Sequence, residues 1–162
     1  KLELIPSKPS ASCKAVERIA DADIIVIGPG SLYTSIIANL IIPDISEAII
    51  NSRAKKVFIC NIMSEEGETD RLDCYGHLEK ITDHVKNLKI DYMLINNKII
   101  ESDILERYDR EHKHPVYVDD SQRAKIRELG VQIIEDNLLR VSETGQIMHD
   151  SEKVARILLD IL

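Results

Sequence analysis

The residues best suited to chemistry stand together near the start of the chain, at Gly28-Pro29-Gly30-Ser31 and the hydroxyl-bearing Tyr33-Thr34-Ser35 that follows. An uninterrupted apolar run, Ile24 to Ile27, leads into them, as suits a strand covered on both faces. Gly28-Pro29-Gly30 can neither continue that strand nor open a regular helix. Hydroxyls then collect where the next helix should begin. Strand, glycine-rich bend and helix N-terminus in succession are how an α/β protein presents backbone N–H groups to an anion. The stretch therefore predicts a phosphate-facing loop built from Gly28, Pro29, Gly30, Ser31, Tyr33, Thr34 and Ser35. It is neither a Walker A loop, for want of the lysine, nor the dinucleotide fingerprint, for want of a third glycine. A glycine turn that merely links strand to helix would have the same composition, and these residues alone leave both readings open.

To position such a loop the chain needs a parallel sheet between helices, and the apolar pattern supplies one. Strands are expected at residues 24–27, 56–60, 91–95, 115–118 and 131–134, with a short one at 2–5 ended by Pro6. Helices are expected at 12–19, 32–40, 46–52, 70–85, 102–108 (Ser102 as its cap), 121–129 (stopped by Gly130) and 150–161. Strands separated by helices mean crossover connections, hence a three-layer α/β/α, Rossmann-like fold with a mainly parallel sheet. Ligands bind such sheets at the carboxyl ends of the strands. Four strands here run into polar residues at that end: Ile27 into the glycine bend, Cys60 into Asn61, Ile95 into Asn96, and Val118 into Asp119. Asn61 and Asn96 are thereby candidate ligand-binding residues.

Composition narrows the function. The chain has 162 residues, enough for one domain with a substantial core. With one Phe and no Trp that core must be aliphatic. A net charge of −7 argues against a nucleic-acid surface. No apolar stretch approaches a membrane span, and no signal peptide is recognisable, so a cytoplasmic location is expected. Cys13, Cys60 and Cys74 are too scattered for a disulfide framework or a Cys-x-x-Cys metal site and are expected in or near a reduced core.

The stretch Ala22 to Ile36 closely resembles the signature of the CofD-like family, which holds the 2-phospho-L-lactate transferases and the bacterial gluconeogenesis factors. Its Tyr33-Thr34-Ser35 continuation is similar to the gluconeogenesis-factor branch. That resemblance implies a nucleotide-sugar ligand, a UDP-sugar in the first instance, and a regulatory role linking carbon metabolism to the cell envelope and cell shape. The transferase branch implies instead the transfer of a phospholactyl-type group from a nucleotide diphosphate donor with Mg²⁺, for which Asp23 or Asp119 would be the carboxylates. The matching positions belong to the C-terminal half of family members. Lys1 is not an initiator residue, so residues 1–162 are expected to be the C-terminal half of a longer domain whose N-terminal half completes the site. An uncovered sheet edge or helix face should then make the chain self-associate as a homo-oligomer.

Other clusters carry weaker signals. Asn61-Ile-Met-Ser-Glu-Glu-Gly-Glu-Thr69 resembles the family's Asn-x-Met…Gly-Glu-Thr segment, which adds Thr69 as a neutral donor; Glu65 and Glu66 are expected as an exposed acidic loop. His77 and His84 lie two helical turns apart, too far to chelate one metal with ease. His77 is the candidate to steer a ligand and His84 is expected to be structural. The 111–114 cluster has the look of a mixed-sign surface loop. Asp150 suits an N-cap, and Asp119 suits either a cap or a ligand contact. No cluster meets the standard of a metal site.

Overall fold

The computed structural model describes residues 2–162, and Lys1 lies outside the described residues. The elements run α1 (Cys13–Ala20), β1 (Ile24–Ile27), α2 (Leu32–Leu40), α3 (Pro43–Asn51), β2 (Lys55–Ile59), α4 (Cys74–His84) and β3 (Tyr92–Asn96). There follow α5 (Ser102–Asp109), α6 (Asp120–Glu128), β4 (Gln132–Asp136), β5 (Leu139–Val141), β6 (Ile147–His149) and α7 (Ser151–Ile161). The opening of α2, Leu32–Ile37, is π-helical.

β1 to β4 form a parallel sheet in the order β1-β2-β3-β4, so all four carboxyl ends share one rim. Alternation along the strands divides the core in two. Ile27, Phe58, Met93 and Ile95 pack with Leu32, Ile36 and Ile37 of α2, Ile49 of α3, Leu78 and Ile81 of α4, and Ile126 of α6. Val57, Ile59 and Leu94 face the other way, onto Val154, Ile157, Leu158 and Ile161 of α7. The four-residue spacing of those α7 residues puts one stripe on the sheet. Both faces are covered, which is why the central strands are continuous apolar runs. The expected three-layer α/β/α, Rossmann-like fold is the one observed. The outer strand β1 is only partly covered on the α7 face: Ile24 packs against that cluster, but Val26 is 40% exposed.

Several local expectations are corrected. Residues 2–5 form no strand among the described residues; they are irregular and bend around Pro6. Residues 115–118 are not a strand of the sheet. They run beside 62–64 through the single Met63–Pro115 bridge and the Val116 N–H bond to the Ile62 carbonyl (2.9 Å), so Val118 brings no carboxylate to the rim. Asp119 instead caps α6, accepting the Gln122 N–H at 2.8 Å. α4 starts at Cys74 rather than residue 70, because Asp73 accepts the Gly76 N–H at 2.7 Å and fixes the first turn there. α3 starts early, at Pro43, a residue pre-set for a helix's first position. Ser102 is the first helical residue of α5 and makes no capping bond; Glu101 holds the cap position. Cys13 is exposed, whereas Cys60 and Cys74 are buried. The sequence reading also left out the antiparallel β5–β6 hairpin, turned at Gly145, whose φ of +77° suits glycine.

Candidate functional site

The bend after β1 is shaped by a backbone that only glycine accommodates. Gly28 has φ +83°, and a Cβ there would stand 2.9 Å from the Ile59 carbonyl oxygen of β2. Pro29 then lacks an N–H, so the β1–β2 ladder cannot continue through main-chain atoms. Asn61, just past the end of β2, takes over. Its Nδ2 donates to the Gly30 carbonyl at 3.0 Å, and its Oδ1 accepts the Gly30 N–H at 3.4 Å.

Against this clasp lies a cavity of about 420 Å³ on the carboxyl rim. Pro29 and Gly30 form one wall, and residues 61–65 the adjoining one. Tyr108 of α5, Lys113 and the β6 residues Ile147–His149 line the rest. The hairpin is anchored here. The Ile147 N–H donates to the Tyr108 hydroxyl at 2.7 Å, and His149 Nε2 donates to the Cys60 carbonyl at 3.1 Å. Because a carbonyl only accepts, the His149 proton sits on Nε2. Burial holds this imidazole below its usual pKa, with the bond to Cys60 opposing, so the ring is neutral at pH 7.

The charges at the site are unevenly placed. Lys113 lines the cavity, and its ammonium contacts the Glu111 carboxylate at 2.8 Å, which raises its pKa. Glu65 is not a freely exposed loop residue. It is half-buried, and Glu65 and Glu68 both direct a carboxylate oxygen at the Ser31 hydroxyl. One hydroxyl has one proton to donate, so the second carboxylate is free to accept from a ligand hydroxyl. Glu66 is exposed, as expected.

The sequence-predicted residues separate into groups. Pro29, Gly30 and Asn61 line the cavity, with Ser31 joined to its Glu65 wall. Gly28 and Ser35 line, with Pro29, a neighbouring apolar cleft. Thr34 is exposed, and Tyr33 packs edge-on against His84 with ring centroids 6.1 Å apart. Along α2 the N–H groups of Ser35 and Ile36 both bond to the Ser31 carbonyl, at 3.0 Å each. Those of Leu32, Tyr33 and Thr34, at the open start of the helix, take no cap or turn partner among the described residues.

Thr69, His77 and Asn96 are buried and do not line the cavity. Thr69 Oγ1 accepts the Glu65 N–H at 2.8 Å and closes the 65–69 turn. Asn96 is wholly engaged within the fold. Its Nδ2 donates to the Lys98 carbonyl at 2.9 Å, and its Oδ1 accepts the N–H groups of Lys98 (3.3 Å) and Leu138 (3.1 Å). His77 Nδ1 donates to the Asp73 carbonyl at 2.8 Å, and its Nε2 has no partner among the described residues. Burial lowers its pKa, against the pull of Asp73 and Glu65.

Sequence reasoning missed Tyr108 and Lys113 as cavity residues. Lys113 was visible only as one charge in a mixed cluster, and nothing in its spacing says which side of the sheet it reaches. Among the described residues no group of three or more His, Cys, Asp or Glu side chains could hold a metal ion. Asp119 is occupied as a cap, and Asp23 precedes β1 at the end of the sheet away from the cavity. These residues do not fit Mg²⁺. The Cys60 thiol is buried and held well above its usual pKa, first by its hydrogen bond with Cys74 and then by burial. No single helix among the described residues is long and apolar enough to cross a membrane.

Comparison with known proteins sets this geometry in context. Residues 1–139 match the family described as 2-phospho-L-lactate transferase CofD. The gluconeogenesis factor of Bacillus subtilis is 36% identical over 159 residues, covering 98% of this chain and 49% of that protein. The gluconeogenesis factor of Listeria monocytogenes is 40% identical over 148 residues, covering 91% of this chain and 44% of that protein. The crystal structure of protein BH3568 from Bacillus halodurans superposes with a TM-score of 0.85 at 38% identity, covering 94% of this chain and 47% of that one. The chain spans roughly a third to a half of the length of the curated relatives it matches.

Proposed function

Because the chain belongs to the CofD family, and its relatives carry the name gluconeogenesis factor, we propose that it is a cytoplasmic regulatory protein of that kind. It binds a nucleotide-sugar, a UDP-sugar in the first instance, and couples carbon metabolism to envelope synthesis and cell shape. One observation carries this reading: Pro29 and Gly30 of the bend, the Asn61 that clasps it, and Lys113 line one cavity on the carboxyl rim. Lys113 suits the diphosphate, whereas the Gly30 N–H is already given to Asn61. The surplus carboxylate at Ser31 suits a sugar hydroxyl. Calorimetry of UDP-sugars against a chain extended to the length of its relatives tests it. Saturable binding lost on Gly30→Pro supports the reading; no heat with any UDP-sugar, while the extended chain still supports normal cell shape, overturns it.

The transferase alternative rests on the family description alone, and the carboxylates nominated for Mg²⁺ are engaged or remote. Nucleotide release from a phospholactyl-type diphosphate donor separates it from a binding protein, which gives none. Self-association belongs to the same proposal. Its support is the edge position of β1 and the exposure of Val26, and the part of the longer relatives that this chain does not span is the competing cover for that edge. Sizing the two lengths of chain side by side distinguishes them: only the shorter one associates if the longer relatives' extra half covers the edge.

A further inference from the structure

At the other end of β2 from the candidate site, Arg53, Lys55, Lys56 and Lys89 border a second cavity, of about 390 Å³. Lys56 and Asn61 are five residues apart, so along a strand the two sites are separated by roughly 16 Å. In a chain of net charge −7, a hollow lined by these four cations and one carboxylate, Asp91, reverses the local sign. The fold does little to neutralise it. Arg53, Lys55 and Lys89 have no ion-pair partner among the described residues. Asp91 is turned to structure: its Oδ2 accepts the Lys56 N–H at 2.7 Å.

Lys56 is the fixed point of the cluster. It is 7% exposed, and its ammonium donates to the Ser52 carbonyl at 2.8 Å and the Ala54 carbonyl at 3.2 Å. An ammonium has three donors, and the third has no acceptor among the described residues. A buried, tethered ammonium with a spare N–H shares one hollow with three exposed cations that have no ion-pair partner among the described residues, and like charges gathered so repel. Bound anion removes that repulsion. The charges border a hollow rather than spread along a face, which favours a compact ligand over a macromolecular surface.

We propose that this amino-edge cavity is an anion site for a small, multiply charged phosphate compound, separate from the carboxyl-rim site. Arg53 and Lys89 supply reach, Lys55 supplies charge, and Lys56 supplies the pre-placed donor. Inorganic triphosphate is the probe, titrated at constant ionic strength and followed by backbone-amide NMR. The expected result is saturable binding with shifts centred on residues 52–56 and 87–91. The Arg53→Gln/Lys89→Gln variant, altered only at exposed positions, should bind about tenfold more weakly with an otherwise unchanged spectrum. Lys56→Met should weaken it as well. A response that never saturates, or shifts confined to residues 28–35, overturns the proposal. So does saturable binding of polyglutamate with none of triphosphate, which would assign the patch to an acidic protein. UDP-sugar affinity should be the same in the double variant, so failure here and failure at the carboxyl rim are told apart.

Discussion

Asn61 and Gly30 hold one another by both ends, the Asn61 Nδ2 on the Gly30 carbonyl at 3.0 Å and the Gly30 N–H on Asn61 Oδ1 at 3.4 Å. A side-chain amide thus stands in for the backbone bonds that Pro29 interrupts, and it fixes the bend that walls the cavity. Asn61→Ala removes both bonds and should cost about 1–2 kcal/mol in urea denaturation. It should also weaken UDP-sugar binding about tenfold, through the loss of loop geometry. Asn61→Asp keeps an acceptor for the N–H but sets a carboxylate against a carbonyl, and should be no better than Ala. Unchanged affinity in Asn61→Ala would remove the clasp from the account of binding.

Gly28 and Gly130 both have φ near +80°, but their surroundings differ. A Cβ at Gly130 meets nothing within 4 Å, whereas at Gly28 it meets the Ile59 carbonyl oxygen at 2.9 Å and Ile36 Cδ1 at 3.2 Å. Gly130→Ala should therefore show only the conformational penalty, about 1 kcal/mol. Gly28→Ala adds a clash with main chain that cannot yield without moving β2, and should cost about 3 kcal/mol. Equal losses in chemical denaturation would show that β1 and β2 are less tightly coupled than their register implies.

The fold holds His77 and His149 below the ordinary value of 6.5, in both cases chiefly by burial. The unfolded chain then binds protons that the folded chain refuses. Their stabilising effect is full above about pH 6.5, declines as pH falls below it, and levels off once the folded-state values are passed. Denaturation midpoints should drop across that window. His77→Leu discards an unpartnered buried Nε2 and should flatten part of the slope while costing no more than about 1 kcal/mol at pH 7.5. A slope identical to that of the parent would place the pH dependence elsewhere.

Lys113 and Glu65 should act on ligand affinity in opposite directions. Lys113→Met removes the cation on the cavity wall and should weaken UDP-sugar binding about tenfold, with a reduced dependence on salt. Glu65→Gln lowers the negative charge around Ser31 and should tighten the binding of inorganic pyrophosphate. Its effect on a UDP-sugar should be smaller, because the weaker, uncharged acceptor left for a sugar hydroxyl offsets the lost repulsion. Calorimetry with both ligands resolves the two; parallel changes would mean that Glu65 faces no sugar.

The sheet was legible because its signal is local. Runs such as Ile24–Ile27 and Tyr92–Asn96 carry their apolar character within a few residues, and the Gly-Pro-Gly bend carries its own constraint. Asn61 and Asn96 show where that legibility stops. Each follows a buried strand at the same rim, and in the sequence they look equivalent. Only the neighbours brought in by folding separate them: Gly30 for Asn61, and Lys98 with Leu138 for Asn96. Residues 115–118 failed for the same reason, since whether an extended segment becomes a strand depends on a partner supplied elsewhere. The β5–β6 hairpin did leave a trace in Gly145 between two short apolar alternations, but strands of three residues fall below what periodicity resolves.

The spatial order of the four parallel strands repeats their order along the polypeptide, with each new strand laid beside the one before it. A nascent chain leaving the ribosome therefore never has to keep a slot open for a late arrival. The first pair, β1 and β2, can meet before β3 has been synthesised, and with it the bend and its asparagine clasp. The half of the cavity wall made by Tyr108, Lys113 and His149 can join only afterwards, so during synthesis the bend takes shape ahead of the rest of the pocket it walls.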